Sequence, residues 1–152
     1  MKRAIELARR TALEDNAGGP FGCVIVKDSK VVAEGANRVI ADKDPTCHAE
    51  INAIRAACAV LGTHELRGCV LYTTCEPCPM CYAACCWARV DKIFFASNIH
   101  DAKKYGGFDD AAIYNEVKRP IQDRSPEGTE LLRKEMLDLW QEFRNMTDPP
   151  SY

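Results

Sequence analysis

Three features that would indicate particular protein classes are missing from this 152-residue sequence. No apolar run approaches the roughly 18 residues that a membrane-spanning helix requires, so no membrane span is expected. Neither charge dominates, since 20 Lys and Arg face 22 Asp and Glu, and this balance provides no broad positive surface for a nucleic-acid backbone. No export signal is seen either, because charged residues interrupt the segment after the basic N-terminus.

The cysteine content favours free thiols. There are nine cysteines, an odd number, and without an export signal this predicts reduced thiols in the cytoplasm and not a disulfide framework. The length is near that of one domain, and no internal repeat, low-complexity tract or linker divides it. We therefore predict a single domain over 1–152, with 129–152 as a C-terminal helix and tail.

Hydrophobic periodicity predicts alternating helices and strands. The predicted strands are 21–26, 31–35, 69–74 and 92–96, and the predicted helices are 2–15, 47–61, 79–88, 110–117 and 129–146. The first two strands read as a hairpin, whereas strand, helix and strand over 69–96 predict a crossover with parallel pairing. The remainder of 97–128 is predicted to be loop. The expected fold is an α/β three-layer α/β/α sandwich with helices on both faces of a mixed central sheet.

Two short motifs indicate a metal centre: His48-Ala49-Glu50 and Pro77-Cys78-Pro79-Met80-Cys81. One imidazole and two thiolates are three protein ligands for zinc, whereas a closed structural site normally has four. Each motif opens a predicted helix, where the helix dipole lowers thiol pKa values and favours metal binding. The sequence therefore predicts one zinc ion per subunit, held by His48, Cys78 and Cys81.

Glu50 completes the predicted chemistry. Zinc lowers the pKa of bound water to about 7, and a carboxylate two residues beyond a ligand can take and return protons without ligating the metal. The combination H-x-E with P-C-x-x-C is the signature of zinc-dependent nucleobase deaminases. Glu50 is the predicted general acid and base.

Over nearly its whole length the sequence resembles the cytidine/deoxycytidylate deaminase superfamily, and within it the bacterial-type guanine deaminases. The resemblance rests on the two metal motifs and on several further segments: 18–22, Asn37, 44–46, 75–76, 87–89, Gly107-Phe108-Asp109-Asp110 and 113–114. It implies the cytidine deaminase fold, and hydrolysis of guanine to xanthine and ammonia in a homodimer.

The resemblance also implies roles for further residues. Asn37 is expected to bind the purine edge, Asp110 to act as a second proton carrier, and Asp109 is the neighbouring alternative. Further substrate contacts are expected from Phe21, Ala49, Trp87 and Tyr152. The C-terminal segment is expected to close the site, either that of its own subunit or, if the segment is exchanged between subunits, that of the partner.

Other interpretations stay open at this point. Cys75 could be a fourth ligand of a structural zinc site, and Asp110 could be only a helix N-cap. Asn37 could be a turn residue, Phe21 and Trp87 core residues, and Tyr152 a frayed terminus. Two other activities compete, deamination of adenosine in tRNA and deamination of a related aminated heterocycle, besides a zinc-stabilised binding domain without catalysis.

Overall fold

In the computed structural model, which describes residues 1–151, helices and strands alternate along the chain. The four strands are β1 (Gly22–Lys27), β2 (Lys30–Ala36), β3 (Cys69–Cys75) and β4 (Lys92–Ser97). The α-helices are α1 (Lys2–Arg9), α2 (Val39–Asp42), α3 (Ala49–Leu61), α4 (Pro79–Trp87), α5 (Ile99–Gly106), α6 (Asp110–Val117) and α7 (Arg133–Arg144). A π-helical turn (Arg10–Glu14) continues α1, and a 3₁₀ turn spans Ile121–Asp123. No helix within 1–151 combines the length and apolarity needed to cross a membrane.

The strands form one mixed sheet in the order β2-β1-β3-β4. β1 and β2 form the predicted hairpin, and both turn residues, Asp28 and Ser29, have positive φ of 48° and 61°, as in the turns whose twist suits a two-residue connection. β1 also pairs antiparallel with β3, whereas β3 and β4 are parallel. The predicted parallel pairing is confirmed.

Two glycines show that helices cover both faces of the sheet. A Cβ on Gly22 of β1 would collide with the backbone of α1 at Ala4 and Ala8, and a Cβ on Gly35 of β2 would collide with the backbone of α3. Gly35 pairs with Cys23, the residue after Gly22, and successive residues of a strand point to opposite faces. Helices α1 and α3 therefore lie on opposite faces, as the three-layer prediction required.

The main core lies between the sheet and α3. Small side chains on α3 let the helix approach closely, since Ala49, Ala53 and Ala57 are all fully buried. The other fully buried members of this cluster are Cys23, Ile25, Leu66, Cys69 and Leu71. All nine cysteines are free.

The second half of the chain differs from the sequence prediction in two places. The predicted loop after residue 97 contains α5, which Asn98 and Asp101 cap reciprocally. The final helix begins at Arg133 and not near 129, because Leu132 adopts a left-handed conformation with φ of 53°. The chain forms two compact units, residues 1–113 and the described residues from 114, and the single-domain interpretation remains a prediction.

Candidate active site

The three predicted metal ligands come together at two helix N-termini. His48 is the N-cap residue of α3, and Cys78 is the N-cap residue of α4, in which Cys81 occupies the first turn. His48 Nδ1 lies 3.6 Å from Cys78 Sγ and 3.5 Å from Cys81 Sγ. Among residues 1–151, these three side chains form a cluster whose ligand atoms are close enough together to hold one metal ion.

The geometry of the trio fits zinc. Bond lengths of about 2.0–2.1 Å to nitrogen and about 2.3 Å to sulfur, at tetrahedral angles, place the two ligand atoms about 3.5 Å apart. The observed distances match this value. Cys75 does not join the cluster among the described residues, and its thiol is directed to the carbonyl oxygen of Asn98 at 3.6 Å. This arrangement favours three protein ligands over four.

The pKa values of the two thiols are shifted in opposite directions. Hydrogen bonds from Cys81 and His48 to the Cys78 thiolate lower the pKa of Cys78 to about 4. The pKa of Cys81 is raised, because its proton is held by Cys78 and because the thiol is buried. The ligand atoms of the trio all lie within 4.8 Å of one another. Two thiolates this close repel each other unless a cation lies between them, so the donor set itself suits a divalent metal.

Glu50 is a buried carboxyl group beside the trio. Its side chain is on the first turn of α3, only 5 % of the residue is exposed, and Oε1 accepts a 2.8 Å hydrogen bond from Thr73 Oγ1. Burial raises the pKa of Glu50, while hydrogen bonds from its own backbone N–H, from Thr73 and from Cys81 lower it. A carboxyl group whose pKa is shifted toward neutrality is suited to moving protons.

A cavity of about 350 Å³ opens onto these residues. Its polar lining includes His48, Glu50, Cys75, Glu76, Cys78, Asn37 and Asp110, and its less polar wall is Gly19, Phe21, Val39, Ile40, Pro45 and Phe108. Phe21 and Phe108 meet edge to face, with ring centroids 4.9 Å apart. An apolar cleft with a few convergent polar groups is typical of a small-molecule site.

Asn37 directly follows the last residue of β2 and is held in place by three hydrogen bonds. Its backbone N–H donates to Phe21 O, its backbone oxygen accepts a buried hydrogen bond from Thr11 Oγ1 at 2.6 Å, and its side-chain Oδ1 accepts from Val39 N–H at 3.2 Å. Because the amide oxygen is engaged by the chain, the amide nitrogen is the group that can donate to a ligand.

The structure separates the two neighbouring aspartates. Asp110 lines the cavity, and burial followed by the charge of Cys78 raises its pKa. Asp109 instead pairs with Lys103 at 2.7 Å, which lowers the Asp109 pKa, and it accepts from Ala112 N–H in the first turn of α6. The capping role expected as an alternative for Asp110 is therefore filled by Asp109.

Two of the expected substrate contacts, Ala49 and Trp87, are not among the described residues that line this cavity. Ala49 is fully buried in the core against β2. Trp87, the last residue of α4, is 64 % exposed and is not among the described residues that line the cavity. Tyr152 lies outside the described residues.

Two contacts were missed by the sequence interpretation. Thr73, which bonds Glu50, is the polar exception on a buried strand face. Phe108 was part of a quoted motif but was given no role, although an aromatic residue beside a candidate acid could have suggested one.

Comparisons with known proteins agree with this geometry. The family model for the cytidine and deoxycytidylate deaminase zinc-binding region matches residues 1–97. Guanine deaminase from Bacillus subtilis (strain 168) is 45% identical over 152 residues, covering 100% of this chain and 96% of the relative. A tRNA-specific adenosine deaminase from Aquifex aeolicus (strain VF5) is 36% identical over 124 residues, covering 82% and 79%.

Solved structures give the same result. The X-ray structure of guanine deaminase from Bacillus subtilis superimposes with a TM-score of 0.94 at 46% identity, covering 99% of this chain and 95% of that one. A guanine deaminase from Nitrosomonas europaea gives a TM-score of 0.65 at 31% identity, covering 93% and 80%. With its zinc-ligand geometry, its mixed sheet and these matches, the chain belongs to the cytidine and deoxycytidylate deaminase family of zinc-binding enzymes.

Proposed function

We propose that this enzyme hydrolyses guanine to xanthine and ammonia. The observation that carries the proposal is that the metal-ligand trio His48, Cys78 and Cys81 lies at a small cavity lined by His48, Cys78 and Glu50. The chain also matches a relative named guanine deaminase over its full length. The proposal adds a substrate and residue roles to the family assignment.

His48, Cys78 and Cys81 would hold the zinc ion, which, when bound, supplies Lewis-acid activation of water. Glu50 then carries the protons. It accepts one proton as the water oxygen bonds to C2 of guanine, and it passes that proton to the ring nitrogen beside C2. The new hydroxyl group on C2 then gives up the second proton of the water, which is passed to the exocyclic nitrogen. The bond between C2 and that nitrogen breaks, ammonia departs, and C2 becomes a carbonyl carbon.

The other cavity residues would orient the base. The Asn37 amide nitrogen donates to an acceptor on the purine edge, and the rings of Phe21 and Phe108 form an apolar wall. Asp110 would be the second proton carrier, on the side where the amine leaves. Its support is a place in the cavity lining and a raised pKa, whereas Asp109 is engaged by Lys103.

A substrate panel tests the proposal. Ammonia release would be measured from guanine, adenosine, cytosine, a diamino-substituted purine and a tRNA anticodon stem-loop. Turnover of guanine above the other bases is expected. Turnover of the stem-loop alone would instead indicate the tRNA adenosine deaminase activity named for the Aquifex relative, although a net charge of −2 offers little for a phosphate backbone.

We further propose that the enzyme is a cytoplasmic homodimer in which residues 129–152 close a site, either their own or that of the partner. Its support is the apolar surface around α7, where Leu131, Leu139 and Trp140 are more than half exposed in the single chain, as is typical of an interaction surface. Light scattering after size-exclusion chromatography should give twice the mass of the 16.9 kDa chain. A monomer mass would contradict the proposal.

A further inference from the structure

The Glu50 carboxyl group is anchored from the sheet as well as from its own helix. Thr73 Oγ1 donates to Glu50 Oε1 at 2.8 Å, and this hydrogen bond is buried. The two residues belong to different layers, since Thr73 is on β3 and Glu50 on α3. The bond therefore fixes a side chain of the helix relative to the sheet.

Thr73 is the polar member of an otherwise apolar row. The buried positions of β3 alternate with less buried ones, and the buried row consists of Cys69, Leu71, Thr73 and Cys75. Thr73 is fully buried and pairs with Cys23 on one side and Phe95 on the other. Because a buried hydroxyl group is costly unless it is hydrogen-bonded, the contact with Glu50 accounts for a threonine at this position.

Fixing this carboxyl group has a chemical consequence. A glutamate side chain has several rotatable bonds, and rotation about the last one, which sets the plane of the carboxyl group, is broad and weakly restricted. A threonine in a strand has a stiff χ1 and offers its hydroxyl from a defined place. With Oε1 held by Thr73, the plane of the Glu50 carboxyl group is fixed beside the cavity that Glu50 lines.

We propose that Thr73 is a positioning residue for the deamination reaction, holding Glu50 by one oxygen so that the other faces the reacting atoms. This inference rests on the proposed function of Glu50. The neighbouring Cys81 cannot take this role, because as a thiolate ligand it has no proton to donate, whereas Thr73 keeps its hydroxyl proton. Thr73 is thus the side-chain donor that persists in the working enzyme.

Three variants of the zinc-loaded enzyme test the role. Thr73→Val removes the hydroxyl group at nearly constant volume, and Thr73→Ser restores it. Thr74→Val is the matched control, because its hydroxyl accepts from Gly22 N–H at 3.1 Å on the opposite face of the same strand. Thr73→Val should lower kcat by about tenfold to a hundredfold, with KM for guanine and zinc content close to those of wild type.

Thr73→Ser should recover most of kcat, and Thr74→Val should lower the melting temperature with little change in kcat. A wild-type kcat in Thr73→Val, or no recovery in Thr73→Ser, would overturn the inference. Loss of zinc in Thr73→Val would also overturn it, because the residue would then be structural.

A stability measurement separates this inference from the proposed substrate. In a double-mutant cycle of Thr73→Val with Glu50→Ala, the changes in unfolding midpoint should be non-additive, because one substitution removes the donor and the other the acceptor of the same hydrogen bond. Additive changes would refute the contact whatever the substrate. A wild-type enzyme inactive on guanine would refute the proposed substrate alone, and the kinetic comparison would be made with the base that it does turn over.

Discussion

Replacing Gly35 with alanine should disturb the active site indirectly, by pushing helix α3 away from strand β2. An ideal Cβ at Gly35 would lie 2.5 Å from Ala53 N and still closer to the carbonyl oxygen of Ala49. Both atoms belong to the helix backbone, which cannot rotate away as a side chain can. Restoring a contact of about 3.5 Å requires a shift of about 1 Å between the helix and the sheet.

That shift acts directly on the chemistry. Ala49 is the first residue of α3, and its neighbours are the ligand His48 and the base Glu50. A misplacement of about 1 Å in a catalytic group can lower the rate about a hundredfold, and overpacking of this kind costs about 1–3 kcal/mol of stability. We expect Gly35→Ala to lower kcat and the unfolding midpoint together.

Gly62→Ala is the control. Gly62 ends α3 with φ of 65°, and a Cβ there would meet nothing within 4 Å, so only left-handed strain of about 1 kcal/mol is added. Urea unfolding, zinc content and guanine kinetics would be measured for both variants. If Gly35→Ala kept wild-type kcat and lost no more stability than Gly62→Ala, the argument that close packing sets the position of the site would be refuted.

Three further predictions concern side chains. Glu50→Gln should lower kcat by about 10²–10⁴ and retain zinc, and full turnover would exclude Glu50 as the proton carrier. Asp110→Asn should lower kcat more than Asp109→Asn, and the reverse order, measured with guanine, would move the second carrier to Asp109. The hydrogen bond from Arg3 lowers the pKa of Glu34 below its ordinary 4.5, so the stability this pair adds is complete above that value and is lost only as pH falls through the lower folded pKa. The difference in urea midpoint between wild type and Glu34→Gln should therefore be small and constant from about pH 5.5 to 8, and a steady change across this range would contradict the assignment.

The metal centre was predictable because its signals are local. Cys78 and Cys81 are three residues apart at a helix start, which places both sulfurs at the same end of the helix. The Pro at the first position of α4 and the strand before it indicated where that helix starts. The β-branched runs of β1 and β3 gave strand bounds within about two residues of those observed, as expected for periodic segments.

Helix α5 was missed although its end signals were present. Asn98 and Asp101 form a capping box, Lys103 and Lys104 occupy the last turn, and Gly107 follows in the left-handed conformation. These are standard helix boundaries, but the segment has a short and weak apolar pattern, and the Gly- and Asp-rich composition around it favoured a loop.

Trp87 shows what helical periodicity adds to the resemblance. The buried positions of this region are Cys78, Cys81, Cys85 and Ala88, which recur every three or four residues and define one face of α4. Trp87 falls off that face and is largely exposed. The expectation that it would line the cavity came from the resemblance, and the spacing of its own neighbours argued against it.

The contact between Thr73 and Glu50 could not be predicted in the same way. Thr73 and Thr74 are adjacent and chemically identical, and a strand sends them to opposite faces. Which one faces helix α3 depends on the pairing of β3 with β1, where Thr73 lies opposite Cys23, and a register shift of one residue would exchange the two. The two thiolate ligands can be inferred from their spacing along one helix, whereas the group that orients the base is set by register between strands about fifty residues apart in sequence. For this fold, residues that position catalytic groups are therefore to be sought as polar exceptions on the buried faces of strands.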